Sequence, residues 1–422
     1  MTSSESPTLA AAGSGIPADG GKKPGAPLRR VFAIGAAWMS AWWSIIGLLL
    51  APVLPGHWLP VLLAAFLAAL PLLFLGRGFA GAYPSAAVRM FIFRPFWYVQ
   101  MGLPLIASAG VLGFLAGAPF GSAVSAGRWG LLLMAAAFAV ALVAGYAGSR
   151  WLQVRELDAS FPDLPAALDG MRVVQVSDLH VGPHTSRRYL SKVSRAIQAA
   201  RPDLIAITGD QVDDYAPDVV HFAKAFSGLS APLGVFAIAG NHDVYAGWAP
   251  VRAGLEAMGI TVLVNDAVEL VRGEGRFWLA GTGDPAGAGR HRGRGGEAAP
   301  DIARTLARVP AGAFTLALAH NPALWPRLAQ RGVHLTLSGH THHGQLSIPR
   351  LGWSLASPFL DLAMGSHREG SSLLYINPGT NYWGLPFRIG ALPEVTVVTL
   401  RRSPAGQGFV QITPKRSEFA YP

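Results

Sequence analysis

The chain has 422 residues, enough for two or more structural units, and is 51% hydrophobic but only 14% charged, where a soluble domain carries about 25% charged residues. Its net charge is +10, but +8 of that falls in residues 1–155 and only +2 in the remainder, so the C-terminal part offers no electrostatic footprint for nucleic acid. With no cysteine in the chain, disulfides, thiolate metal sites and thiol nucleophiles are excluded.

Residues 1–28 are rich in Ser, Gly, Pro and Ala without periodicity and read as a disordered tail. Four apolar stretches follow: Val31–Leu54, Leu59–Leu75, Val99–Ala118 and Gly130–Ala147. Each approaches the ~20 residues that span a bilayer, so residues 29–150 are expected to form an all-α transmembrane region of about four helices. Lys22, Lys23, Arg29 and Arg30 precede the first stretch, Arg77, Arg89 and Arg94 lie between the second and third, and Arg150 and Arg155 follow the fourth. The other two connections carry only Arg128, which places both termini and the C-terminal domain on the cytoplasmic side of the cell (inner) membrane. No Asp, Glu, Lys or His falls inside the apolar stretches, so no intramembrane ion relay is visible and anchoring is the simpler role.

Residues 151–170 read as a linker, and from Met171 to Pro422 the texture changes to short β runs alternating with helical patterns. Strands are expected at Arg172–Ser177, Leu204–Thr208, Val235–Ala239, Thr261–Val264, Val268–Val271, Phe277–Ala280, Phe314–Ala319, His334–Ser338, Ser372–Asn377 and Val395–Leu400. A helix is expected over Tyr189–Ala200, with Leu190, Val193 and Ile197 on one face, and a hairpin turning at Gly273-Glu274-Gly275. This alternation argues for layered α/β packing.

Five of these strands end on polar motifs. Asp178-Leu-His180 ends the first, Gly209-Asp210-Gln-Val-Asp213 the second and Gly240-Asn241-His242-Asp243 the third. His320 ends the fourth and Gly339-His340-Thr-His342 the fifth. In open α/β sheets the carboxyl edge is where sites form, and Gly lets the backbone approach them closely. Carboxylate, amide oxygen and imidazole together suit divalent ions such as Mn, Fe or Zn.

In order, D-x-H, G-D-x-x-D, G-N-H-D, H and G-H-x-H, these motifs resemble the calcineurin-like metallophosphoesterases, specifically a membrane-anchored bacterial phosphodiesterase branch, over about Met171–Leu400. The resemblance implies a four-layer α-β-β-α sandwich and two divalent ions, Mn²⁺ first, with Fe, Zn, Mg or Ni as alternatives. It implies that Asp178, His180 and His342 hold one metal, that Asn241, His320 and His340 hold the other, and that Asp210 bridges them. His242 would face the phosphate, with a metal-bridging hydroxide attacking it. Asp213 and Asp243 read as supports for the ligands. His343, where that branch is expected to carry Gly, is either a substrate contact or a residue that supports the ligands or faces solvent, and Arg388 is a candidate substrate contact. Tyr382, Trp383, Phe387 and Arg388 either form a rim that grips the substrate or close the sandwich.

The function expected is hydrolysis of a phosphodiester, phosphomonoester or pyrophosphate, with a lipid-linked substrate suggested by the anchor. The alternatives are a non-catalytic metal-binding module and a membrane sensor on the same fold. Nothing points to a protein partner.

Overall fold

A computed structural model of the chain describes residues 26–50, 85–182, 185–289, 296–403 and 411–414. The tail expected over residues 1–28 and the apolar stretch Leu59–Leu75 lie wholly or largely outside them. Compactness divides the chain into two units, residues 1–82 with 103–131, and residues 83–102 with 132–422.

Among the described residues, three long apolar helices occupy the N-terminal third: α1 (Ala26–Leu50), α2 (Arg94–Gly117) and α3 (Ala123–Arg150). Two runs among the described residues, Arg89–Phe120 and Ala123–Arg150, are long and apolar enough to cross a membrane, and they contain the third and fourth expected spans. The apolar part of α1, Ala33–Leu49, is shorter. Within the first unit the two long helices approach through small residues. A Cβ on Gly113 would stand 2.5 Å from Ala126 O, and one on Gly130 would stand 2.3 Å from Ala109 O. Backbone contact of that kind needs glycine and is a common way for helices to pack where there is no water to drive them together.

The second unit is built on two large sheets. The first has seven strands in the order β15 (Gln411–Pro414), β1 (Gln153–Phe161), β14 (Glu394–Arg402), β2 (Arg172–Val176), β3 (Leu204–Ile207), β4 (Val235–Ala237) and β5 (Thr261–Val262). The other has six, in the order β12 (Gly365–Glu369), β13 (Ser372–Ile376), β9 (Leu335–Ser338), β8 (Thr315–Leu318), β7 (Gly275–Gly281) and β6 (Asp266–Arg272). All ten expected strands are present, and β6 and β7 pair as the expected hairpin, with Arg272 opposite Gly275.

Alternation along the strands builds the layers, because successive side chains point to opposite faces. Leu204 and Ala206 of β3 enter a core that also holds Leu316 and Leu318 of β8 and Leu335 and Leu337 of β9, so this core lies between the sheets. Ile205 and Ile207 point the other way, to a core shared with Leu190, Val193 and Ile197 of α4 (Arg187–Ala199), Phe222 of α5 (Val219–Phe226) and Trp248 of α6 (Asn241–Glu256). On the far side, Ala317 packs with Leu324 and Leu328, and Leu374 with Trp325. The succession is helix, sheet, sheet, helix.

Residues 151–170 are not a linker. Their centre is β1, nine residues paired in parallel with β14 and antiparallel with β15. The charged residues Arg155, Glu156 and Asp158 hide the strand in the sequence. In the fold Arg155 and Glu156 remain partly exposed, while Leu157, Ala159 and Phe161 are buried.

Candidate metal centre

Strands β2, β3 and β4 lie side by side and parallel in one sheet, and β8 and β9 do so in the other. Their carboxyl ends therefore meet at one edge, and the five motifs arrive together. Asp178, His180, Asp210, His340 and His342 all take positive φ, from 41° to 70°. Non-glycine residues rarely hold that conformation, and it costs roughly 1–3 kcal/mol each where the surroundings impose it. Two glycines show how tight the turns are. A Cβ on Gly240 would lie 2.1 Å from Asp210 Oδ1, and one on Gly339 would lie 2.2 Å from Asp178 Oδ2.

The donors form two groups. In one, His180 Nε2 stands 3.0 Å from His342 Nε2, and His342 Nε2 stands 3.2 Å from Asp178 Oδ1. In the other, Asn241 Oδ1 stands 2.8 Å from His340 Nδ1 and 3.1 Å from His320 Nε2. Asp210 Oδ2 lies 3.3 Å from His320 Nε2 and 3.6 Å from His180 Nε2, between the two groups. Asp178, His180, Asp210 and His320 are essentially buried, and His342 nearly so.

Hydrogen bonding on the far side of the rings tests whether these residues fit a cation. His320 Nδ1 is 2.7 Å from the carbonyl of Thr208, which can only accept, so Nδ1 carries the proton. In a neutral ring, Nε2 then presents a lone pair to two further acceptors, Asn241 Oδ1 and Asp210 Oδ2. Lone pairs facing one another in a buried pocket require a positive charge between them. Electrostatics says the same. Burial lowers the His320 pKa, but Asp210 overrides it and holds the value well above the ordinary imidazole range. Burial penalises the Asp178 and Asp210 carboxyls, yet neighbouring imidazoles, His342 and His320 foremost, hold both below the usual carboxylate range. Burial pulls His340 and His342 down to about 4, which suits neutral ligands. The residues fit one or more divalent ions.

His242 sits beside the donors, with a ring nitrogen within 4.8 Å of a ring nitrogen of His180 and a carboxylate oxygen of Asp210. Its Nδ1 is 2.8 Å from Asp214 Oδ1 and 3.0 Å from Asp213 O. Burial lowers its pKa, but Asp210 and then Asp214 raise it to about 9. Asp243 is fully buried and binds backbone instead. Its carboxylate accepts from the N–H groups of Asp210, Gln211, Val212 and Gly240 at 2.8–3.2 Å, which ties the β3 turn to the β4 turn.

Both candidate substrate contacts are displaced from the role expected. His343 is buried, with Nε2 3.0 Å from Ile376 O, and burial pushes it down to about 3. Arg388 is fully buried. Its guanidinium donates to the carbonyls of Pro378 and Ala391 at 2.8 and 2.7 Å and to that of Asn381, and it meets His342 Nδ1 at 2.9 Å. Several buried acceptors converging on one side chain claim a guanidinium more strongly than solvent does, so Arg388 supports His342 from behind. Of the aromatic loop, Tyr382 is buried and Trp383 is half exposed, with its ring 5.7 Å from that of His242.

Two residues near the site were not singled out from the sequence. Asp214 adjoins Asp213 and was visible as a second carboxylate in that motif. Arg89 pairs with Asp213, whose Oδ1 is 3.5 Å from His180 Nδ1, and it lies 124 positions upstream with no local signal.

Residues 171–344 match the calcineurin-like phosphoesterase family. The chain is 31% identical over 277 residues to the uncharacterized metallophosphoesterase YkuE of Bacillus subtilis, covering 63% of this chain and 93% of that protein. An uncharacterized metallophosphoesterase of Aquifex aeolicus is 29% identical over 256 residues, covering 60% and 92%. A zebrafish (Danio rerio) transmembrane protein with metallophosphoesterase domain is 32% identical over 262 residues, and there the match spans 60% of this chain and 58% of the relative. With nearly the whole Bacillus protein matched and the family's domain spanning all five strand-end motifs, this chain belongs to the calcineurin-like phosphoesterases and is a metallophosphoesterase hydrolase.

Proposed function

We propose that the chain is a multi-pass membrane enzyme that hydrolyses a phosphoester bond with two divalent metal ions, manganese foremost. Asp178, His180 and His342 would hold one ion, Asn241, His320 and His340 the other, and Asp210 both. The observation that carries this reading is the convergence of these donors from five strand ends into two groups with Asp210 between them. When bound, such ions activate water at neutral pH and clamp the phosphate.

The remaining roles fall to the chain's own atoms. The Thr208 carbonyl fixes the His320 proton on Nδ1 and leaves Nε2 as the donor. His242, held through Nδ1 by Asp214, stabilises charge on the phosphoryl group or gives a proton to the leaving oxygen. Trp383 stands half exposed beside His242, where it could meet the organic part of the substrate, and the apolar helices favour a phosphoester carried on a lipid. The membrane-crossing helices and the zebrafish relative's name support membrane residence. The basic flanks favour four spans with a cytoplasmic catalytic domain.

The test is metal analysis and turnover of the full-length protein in liposomes with Mn²⁺, against phosphomonoesters, phosphodiesters, pyrophosphates and lipid phosphoesters. Wild type should bind two ions and hydrolyse at least one class, with lipid esters preferred. Asp210→Ala should lose turnover and fall below full occupancy. Normal turnover with two bound ions in that variant would overturn the assignment.

A further inference from the structure

Directly after His342 and His343 the chain leaves the centre as a short hairpin, β10 (Ser347–Ile348) paired with β11 (Trp353–Ser354), followed by a turn through Leu360. Within thirteen residues it exposes Ile348 (47%), Leu351 (74%), Trp353 (38%), Leu355 (47%), Phe359 (80%) and Leu360 (41%). Six large apolar side chains on one small projection are far more than the scattered exposed leucine that any soluble surface tolerates. Arg350 is exposed at the tip among them.

The fold shows where this projection stands. Ser347 N donates to Ile389 O at 2.9 Å, and Ile389 N donates to Gln345 O at 3.0 Å. The preceding residue, Arg388, donates its backbone N–H to Gly145 O of α3 at 2.9 Å. Phe387 lies against Gly145, where a Cβ would stand 2.3 Å from its ring, and Tyr98 Oη of α2 donates to Pro386 O at 3.3 Å. The hairpin root is thus bound, through residues 386–389, to the ends of the same two helices that are long and apolar enough to cross a membrane. At that end α3 finishes with Arg150 and Trp151 follows it, residues typical of the membrane–water boundary.

We infer that the Ile348–Leu360 hairpin dips into the leaflet at which α2 and α3 emerge, holding the mouth of the metal centre against the lipid surface. The proposal rests on the membrane-crossing reading of those helices. The occupant it names is the bilayer, because the root of the apolar projection is tied through residues 386–389 to the helix ends and the projection carries the Trp and Arg chemistry that settles at an interface. For a lipid-borne phosphoester, the consequence is a short path from leaflet to site: the hairpin begins at Gly344–Gln345, two residues beyond His342.

The absence of cysteine allows a direct test with the full-length protein. Single variants Leu351→Cys, Phe359→Cys, Val140→Cys on the exposed face of α3, and Glu274→Cys on the exposed β6–β7 turn are labelled with an environment-sensitive fluorophore. They are reconstituted in phosphatidylcholine–phosphatidylglycerol liposomes. The labels at 351 and 359 should shift to the blue, escape aqueous iodide, and be quenched most by nitroxides placed shallowly on the acyl chain. Val140 should respond to deeper nitroxides and Glu274 to iodide alone. Labels at 351 and 359 that behave like Glu274, while Val140 stays in lipid, would overturn the proposal. Labels shielded from iodide yet untouched by lipid nitroxides would mean that protein covers the hairpin, and would overturn it equally. If Val140 also proves aqueous, the membrane-crossing reading falls and the proposal with it. Hydrolysis is read separately, so none of these results bears on the phosphoesterase assignment.

Discussion

Asp243→Asn is the sharpest test of how the centre is held. The substitution keeps size and shape but replaces one carboxylate oxygen by an NH₂ group. Oδ1 accepts from Gln211 N at 3.0 Å and Val212 N at 3.2 Å, and Oδ2 from Asp210 N at 2.8 Å and Gly240 N at 2.9 Å. Whichever way the amide turns, its NH₂ meets two buried N–H donors. Each unsatisfied buried donor costs about 1–3 kcal/mol, or about 2–6 kcal/mol together. Part of this is returned. Burial first, and then the charge of Asp210, push the Asp243 carboxyl up to about 7, so the protein already resists a full charge there. A net loss of about 2–4 kcal/mol is expected. For a domain of this size that lowers Tm by roughly 4–16 °C. Because the freed N–H groups belong to the turns carrying Asp210 and Asn241, Mn²⁺ affinity should also fall, by about 10–100-fold. Thermal unfolding with and without Mn²⁺, together with a metal titration, reads both effects. A variant as stable as wild type with unchanged metal affinity would refute the bracing role.

Three further outcomes are expected. His242→Asn should keep the bound metal while turnover falls about 10²–10⁴-fold, the range for a positioned acid–base group; metal loss as large as in His320→Ala would make it a ligand instead. Gly240→Ala or Gly339→Ala should reduce metal content by at least about tenfold, because the new Cβ would stand within 2.2 Å of a carboxylate oxygen of Asp210 or Asp178; full occupancy in either variant would contradict the turn geometry. Arg89→Met should weaken metal binding about 10–100-fold by releasing Asp213 from its partner beside His180, with Arg89→Lys partly restoring it, and an unchanged titration would show that the pair is only structural.

Much of this protein is readable without coordinates, because its chemistry is written next to its strands. A buried parallel strand must be a short apolar run, and a site at its carboxyl end must follow within a few residues. Hence Val174–His180, Ile205–Asp213, Phe236–Asp243, Leu316–His320 and Leu335–His342 each announce both strand and donor. The apolar helices are legible for a similar reason, since length and the absence of charge are local properties. What only the tertiary structure decided is everything that joins distant positions. Arg388 carries a polar signature that fits a binding rim, and only packing shows its guanidinium claimed by buried carbonyls behind His342. The strand Gln153–Phe161 reads as a linker because most of its residues face partly outward, and its place between β14 and β15 depends on chain some 240 positions away. Arg89 reaches Asp213 across 124 residues, and the exposed apolar hairpin becomes meaningful only beside the helix ends that its root touches. Local sequence determines which residues are offered, while close packing, which pairs residues irrespective of their separation along the chain, determines which of them meet.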